Sequence, residues 1–412
     1  METILNASRS ASLISKEDRF GAHNYHPLPA VIERGEGVFV WDVDGKRYYD
    51  YLSAYSAVNQ GHCHPRIINA LTEQAQKLTL ISRAFYNSEL GPYEEFITHL
   101  FGYDKVLPMN TGVEAVETAM KLCRKWGYLT KGIPDGQAKI IFATGNFHGR
   151  TLSVVSASTD PSSRKGFGPF MPGIEVIPYN DIAALETALQ DKNVAGFLFE
   201  PIQGEAGVVV PDDNYFPEAF RLCKENQVLF IDDEIQTGIA RTGRMLAIDY
   251  YNIKPDILIL GKALSGGVLP VSAVLADDEI MLNLRPGEHG STYGGNPLAC
   301  AVATAAMNVI IEEKLAENAF RMGELFRYEM REFMKKTELV TLVRGKGLLN
   351  AIVIDSHEDA HLAWDICLKF RDKGLLAKPT HGNKIRLAPP LVITEAQMWD
   401  CLDIIQSTIL TF

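Results

Sequence analysis

The 412-residue chain is long enough for a large core and a second lobe, and 46% hydrophobic with 22% charged residues is ordinary globular composition. A formal net charge of -11 excludes the clustered basic surface that a nucleic acid or an anionic membrane would need, and no apolar stretch approaches the length of a membrane span, so small-molecule chemistry is expected. Six cysteines without CxxC spacing read as reduced, buried thiols, and the opening METILNASRSASLISKEDRF lacks a signal-peptide core; the cytosol is the expected compartment, a mitochondrial one requiring a transit peptide already removed.

In chain order, GVFVWDVDGKRYYDYLSA reads as a hairpin turning at Asp44 and Gly45. GHCHP at 61–65 holds three ligand types, but neighbours in an extended segment point apart and no second cluster completes a tetrahedral set, so no metal is expected and a turn beside a pocket is. In MNTGVEA a loop enters a helix at Thr111 and Gly112, with Val113, Val116, Met120, Cys123 and Trp126 at helical spacing; the amides there could hold a phosphate, or Asn110 or Thr111 could simply cap the helix. Short apolar runs follow: KIIFATG, VAGFLFEP, VLFID and DILILG, alternating with helical patterns such as DNYFPEAFRLCKENQ. Runs apolar at every position suit strands covered on both faces, hence an α/β fold with a mostly parallel sheet.

After KIIFATG, Phe147 or His148 could stack on a flat ring or belong to the core. VLFIDDEIQTG ends an apolar strand in three acids; alternation sends Asp232 and Glu234 one way and Asp233 the other, either into a site beyond the strand end or into a solvated loop. Lys262 lies 262 − 233 = 29 residues after Asp233 at the next strand end, ahead of small residues ALSGG. It is either a snorkelling lysine or a desolvated amine able to attack an aldehyde. GSTYGGNP brings Ser291 and Thr292 on a glycine-rich loop, for the same phosphate or for a turn. From about residue 300, ACAVATAAMNVIIEEKLAENAFRMGELFRYEMREFMKK has no strong breaker and reads as one long helix. LVRGKGLLNAIVID, a helix near 358–373 and KIRLAPPLVIT complete a small α+β domain. The division expected is an N-terminal segment 1–55 packing with the small domain, a large domain 56–300 and a small domain 301–412.

Amine, acid, anion cradle and aromatic together suggest pyridoxal 5′-phosphate, which needs each of them. The motifs NFHGRT, FEPIQGEAGV, DDEIQTGIARTG, LGKALSGG and STYGGNPLA resemble the fold-type I, class III pyridoxal-phosphate aminotransferases. Within that family HNYHPLP, YSAVNQGHCHP, LISRAFYN, PMNTGVEA, GFGPFMPG, LLAKPTHG and RLAPPLVIT are similar to the members that act on ornithine, from about residue 20 to the end. The resemblance implies that Lys262 bonds the cofactor's aldehyde, Asp233 its ring nitrogen and Gln236 its ring hydroxyl, with Phe147 stacked on the ring. Gly112 and Val113 would bind phosphate through backbone N–H groups, and Ser291 or Thr292 would reach it from the other subunit of a homodimer with active sites at the interface. Many relatives carry a hydroxyl residue where this chain has Val113, so backbone donors matter more.

The implied reaction takes the side-chain amine of L-ornithine and gives it to 2-oxoglutarate. One pocket must then serve a diamino acid and glutamate, so an arginine suited to glutamate's α-carboxylate has to be masked for the diamino acid. The resemblance gives that switch to Arg386 and Glu205, the distal carboxylate of 2-oxoglutarate to Arg150, and the α-amino end of ornithine to Tyr25, with Tyr55 close by. A surface ion pair and core tyrosines are the plainer readings of the same residues. Acetylornithine or 4-aminobutyrate as substrate, or a catalytically silent cofactor-binding protein, are the alternatives.

Overall fold

The computed structural model describes residues 9–358 and 360–412; the first eight residues of the N-terminal segment lie outside the described residues. The chain builds three sheets. The central one has seven strands, in the order Lys105–Met109, Ser272–Ala276, Ile257–Leu260, Leu229–Asp233, Val194–Phe199, Lys139–Ala143 and Ile174–Ile177. The last five run parallel, and Ser272–Ala276 is antiparallel to both its neighbours. Val194–Phe199, Leu229–Asp233 and Ile257–Leu260 are buried at every position, as strands roofed on both faces must be. On one face lies helix Gly112–Trp126, which buries Ala115, Val116, Ala119, Met120 and Cys123. Each large aliphatic side chain so removed from water contributes about 1.5–3 kcal/mol.

Two smaller sheets flank this core. Ile32–Glu36, Phe39–Asp42 and Arg47–Asp50 form an antiparallel meander whose hairpin turns at Asp44 and Gly45, and Leu375–Leu376 joins it parallel to Arg47–Asp50. Val340–Lys346, Leu349–Ile354, Lys384–Leu387 and Lys378–Thr380 form the other, all antiparallel. Helix Leu362–Asp372 packs between the two, in contact with strands of both.

The single long helix expected after residue 300 is two helices, Pro297–Glu312 and Leu315–Met334. Lys314 takes the left-handed conformation (φ +53) and turns the chain, so the second helix leaves the central core and packs on strand Val340–Lys346. Neither Gly nor Pro marks the break, and hydrophobic periodicity does not register it.

A second backbone departure bears on the site. Ser53, Ala54, Tyr55 and Ser56 are all left-handed, with φ of 48, 46, 60 and 72. Each non-glycine residue held there costs about 1–2 kcal/mol, so the surroundings must impose the turn. The GHCHP turn contributes no side chain to the cavity described below. His62 pairs with Asp50 at 2.8 Å, His64 with Glu313 at 2.9 Å, and Cys63 is exposed. No group of metal-binding side chains occurs among the described residues, and none of their helices is long and apolar enough to cross a membrane.

Candidate active site

Five strands of the central sheet hand over, at one edge, to loops that line a single cavity of about 160 Å³. Lys105–Met109 leads to Gly112 and Val113, Lys139–Ala143 to Phe147 and His148, and Val194–Phe199 to Glu200 and Glu205. Leu229–Asp233 ends in Asp233, Ile235 and Gln236, and Ile257–Leu260 leads to Lys262. Strand alternation sorts the acids: Asp233 faces the cavity while Asp232 and Glu234 face the other way, fully buried.

Asp233 is buried and accepts hydrogen bonds from His148 Nδ1 (2.7 Å) and from the Ile235 amide (3.1 Å). That bond commits the His148 ring, buried against Phe142, to Asp233 and leaves Phe147 as the flat wall of the slot. Lys262 opens a short turn after Gly261 with φ +42, a strained setting for a lysine and one that clusters at functional positions. Burial pushes its ammonium down, against the pull of Glu205 and Asp233, which favours the neutral amine.

Gly112 starts helix Gly112–Trp126, and a capping box joins Thr111 and Glu114: the Glu114 amide donates to Thr111, and the Asn110 and Thr111 amides donate to the Glu114 carboxylate. Thr111 thus caps the helix, and the first-turn amides of Gly112 and Val113 have no intrahelical acceptor, which suits an anion at the cavity's end. Gly149 permits this closeness, since a Cβ there would lie 2.6 Å from the Val113 side chain. Gln236 holds the opposite side. Its Nε2 donates to Glu205 (3.0 Å) and to the Tyr55 carbonyl (3.4 Å), its Oε1 is buried without a partner, and a Cβ on Gly204 would fall 1.5 Å from that oxygen.

Beyond the slot, Arg386 donates to Glu205 at 2.6 Å from a strand 181 residues away, and its guanidinium sits 5.1 Å from the Tyr55 ring centroid. Burial alone would push the Glu205 carboxyl up; Arg386 and Lys262, with bonds from Arg386 and Gln236, hold it below the usual carboxylate range. Tyr55 is pushed up by burial and by the Glu205 charge, with Tyr25 a further neighbour. Tyr25 is itself exposed; the segment bearing it is fixed one residue on, where His26 stacks on Trp364 at 4.6 Å and its carbonyl accepts from Lys378. Arg150 is exposed, 5.3 Å from the Phe147 ring centroid, and donates to Ser163. Ser291 and Thr292 are not in the slot: they line a separate opening with Leu80 to Arg83, and Ser291 accepts from Asn110.

Four cavity residues escaped the sequence reasoning: Gly149, Glu200, Ile235 and Thr237. Ile235 lies in the turn that follows the strand ending at Asp233, where Gln236 and Thr237 also line the cavity. Glu200 ends its strand beside the Asp233 strand and accepts from the Phe147 amide at 2.9 Å; burial and the Asp233 charge push its carboxyl far above the usual range. The signal for it was the acid closing VAGFLFE.

An amine for an aldehyde, an acid for a ring nitrogen, Phe147 and Ile235 as apolar walls, and first-turn amides for a phosphate fit pyridoxal phosphate, and the unpartnered Gln236 amide oxygen marks a polar position on that wall. Residues 20–409 match the family described as Aminotransferase class-III. A curated relative from Drosophila melanogaster named ornithine aminotransferase, mitochondrial, is 64% identical over 99% of this chain and 94% of its own. Among solved structures, an acetylornithine aminotransferase from Elizabethkingia anophelis is 58% identical, with TM-score 0.91 over 98% of this chain and 100% of that one. An ornithine aminotransferase from Toxoplasma gondii, solved with partial occupancy of PLP at its active site, has TM-score 0.96 at 48% identity, covering 98% and 94%.

Proposed function

Because the chain belongs to the class-III aminotransferases, which work with pyridoxal 5′-phosphate, we propose that it moves the side-chain amine of L-ornithine to 2-oxoglutarate, giving L-glutamate 5-semialdehyde and L-glutamate. The observation that carries the substrate assignment is the ion pair of buried Arg386 with partly exposed Glu205 at the mouth of the slot, which can mask or present a guanidinium as the substrate demands.

When bound, the cofactor supplies an aldehyde for amines and a ring that accepts the electrons left when a proton departs the amine-bearing carbon. Lys262 Nζ would hold the cofactor at its aldehyde and, when free, would carry the proton to and from the substrate carbon. Asp233, backed by His148, holds the ring nitrogen, and Gln236 the ring hydroxyl. Phe147 and Ile235 cover the ring faces and keep water off them; the amides of Gly112 and Val113 hold the phosphate. Ser291 or Thr292 completes that phosphate site from the partner in a homodimer, consistent with their lying outside the chain's own slot. With L-ornithine, Glu205 neutralises Arg386 while Tyr25 takes the α-amino end; with 2-oxoglutarate, Arg386 takes the α-carboxylate and Arg150 the distal one. We assign residues 56–300 to the cofactor-binding domain and 301–412 to a small domain; of the N-terminal segment 1–55, the described residues from 9 on go with the latter because Leu375–Leu376 completes the N-terminal sheet. The cytoplasm is the compartment we propose, a mitochondrial one being consistent with the name of the Drosophila relative.

A second reading, transfer from N-acetylornithine, is favoured by the 58% identity to the Elizabethkingia enzyme. Rapid mixing with each donor decides between them. L-Ornithine should bleach the visible band of lysine-bound cofactor, 2-oxoglutarate should restore it, and N-acetylornithine should react at least about tenfold more slowly. The reverse preference refutes the ornithine assignment. Lys262→Ala should fold, lose the band and lose transamination; near-normal turnover refutes the role of Lys262.

A further inference from the structure

We propose that Asp50 and His62 are positioning residues that hold the left-handed turn Ser53–Ser56 and so aim Tyr55 across Arg386, completing the mask that lets the pocket accept a diamino acid. The inference rests on the substrate reading above and extends it to residues that touch no substrate. Four consecutive non-glycine residues have φ between 46 and 72, and glycine is absent from the turn. Such a turn persists only where its surroundings over-determine it.

The surroundings do so from both ends. Asp50 Oδ1 accepts the amides of Leu52 and Ser53, each at 2.9 Å. Asp50 Oδ2 is held by His62 Nε2 at 2.8 Å, and His62 is itself fixed by backbone pairing with Gly37. Ser53 Oγ donates to the Ala388 carbonyl at 2.7 Å, and the Ala388 amide donates back to the Tyr51 carbonyl at 2.8 Å. Ala388 lies two residues beyond Arg386, so the bonds that brace the turn also fix its distance from the arginine. At the far side the Tyr55 carbonyl accepts from Gln236, which also holds Glu205. Tyr55 therefore meets Arg386 from one direction and Glu205 from another. His62, the part of the GHCHP turn with no place in the chemistry, acquires one as the residue that fixes the carboxylate at the head of the turn.

A glycine in the turn separates strain from aim. Ala54→Gly relieves a left-handed alanine, so the holoenzyme should melt no lower than wild type while Tyr55 loosens. The half-saturating concentration of L-ornithine should then rise about fivefold, and that of L-glutamate, which uses an unmasked Arg386, should stay within about twofold. Asp50→Ala should show the same split, and Asp50→Asn, which keeps an acceptor for Leu52 and Ser53, should recover most of the ornithine affinity. Equal shifts for the two amino acids, no shift in either, or a lower melting temperature for Ala54→Gly each overturn the proposal. A wild type that reacts with N-acetylornithine in place of ornithine sinks the substrate reading alone, and the same variants are then compared on that donor.

Discussion

Asp232→Ala should stabilise the protein, most at alkaline pH. Both Asp232 oxygens are fully buried and neither has a hydrogen-bond partner, although Glu234 is close enough for the two carboxyls to share a proton while one is neutral. Burial first, then the charges of Glu234 and Asp233, push Asp232 well above the usual carboxylate range. Burial likewise raises Glu234 to about 8, opposed by bonds from Thr237 and the Ile248 amide. A buried unsatisfied polar group costs about 1–3 kcal/mol, and the small cavity left by alanine returns roughly 1 kcal/mol of that, so a net gain of about 1–2 kcal/mol is expected near neutrality. The pH dependence has a definite sign. A folded-state value raised above the unfolded one contributes stability that is fully present below about pH 4 and is lost as pH rises through the folded value, which for Glu234 is about 8. Denaturant unfolding of holoenzyme from pH 6 to pH 9 should thus show wild-type stability falling with pH, and Asp232→Ala falling less steeply from a higher start. A variant no more stable than wild type, with an unchanged slope, refutes the reasoning.

Glu205→Ala leaves Arg386 without its carboxylate, so kcat/KM for L-ornithine should fall at least about tenfold while that for L-glutamate holds or rises, a change of about 1.4 kcal/mol or more in the ratio. Steady-state kinetics with both donors checks it, and a parallel loss on both counts against the mask. His148→Ala removes one of two donors to a buried carboxylate, which costs about 2–3 kcal/mol and should lower kcat/KM about 30- to 150-fold while weakening cofactor retention on dialysis; activity within a factor of two of wild type would show that Asp233 needs no such support.

Much of the site could be read from the chain because its chemistry sits at strand ends. Apolar runs locate Asp233 and Lys262 at one edge of a parallel sheet, alternation separates Asp233 from Asp232 and Glu234, and the Asn110–Glu114 pattern marks a helix start. These are local signals of period two or of capping. The Arg386–Glu205 pair joins residues 181 apart, and only the packing of the small antiparallel sheet over the Glu205 loop brings them together, so the resemblance identified it where periodicity could not. The break at Lys314 and the turn at Ser53–Ser56 were illegible for one shared reason: ordinary residues occupy left-handed positions that local preference assigns to glycine, and at Ser53–Ser56 hydrogen bonds from distant segments hold them there. Glu200 could be seen as a strand-end acid, but its protonation state depends on how many charges share the cavity.

That count explains how a lysine stays reactive between carboxylates. Three acids line the slot: Asp233 has two donors, and Glu205 has Arg386 and Gln236. Among the described residues Glu200 has only the Phe147 amide as a donor to its carboxyl, and burial drives it toward its neutral form. Were Glu200 ionised as well, a third negative charge would strengthen the hold of Lys262 on its proton, since Glu200 is among the groups that pull the lysine upward. Burial of Lys262 favours the free amine only while the nearby anions have other partners. The Phe147 amide thus has two effects. It is too weak to offset the burial that pushes Glu200 well above the usual carboxylate range, and it fixes the ring that walls the slot to the same carboxyl.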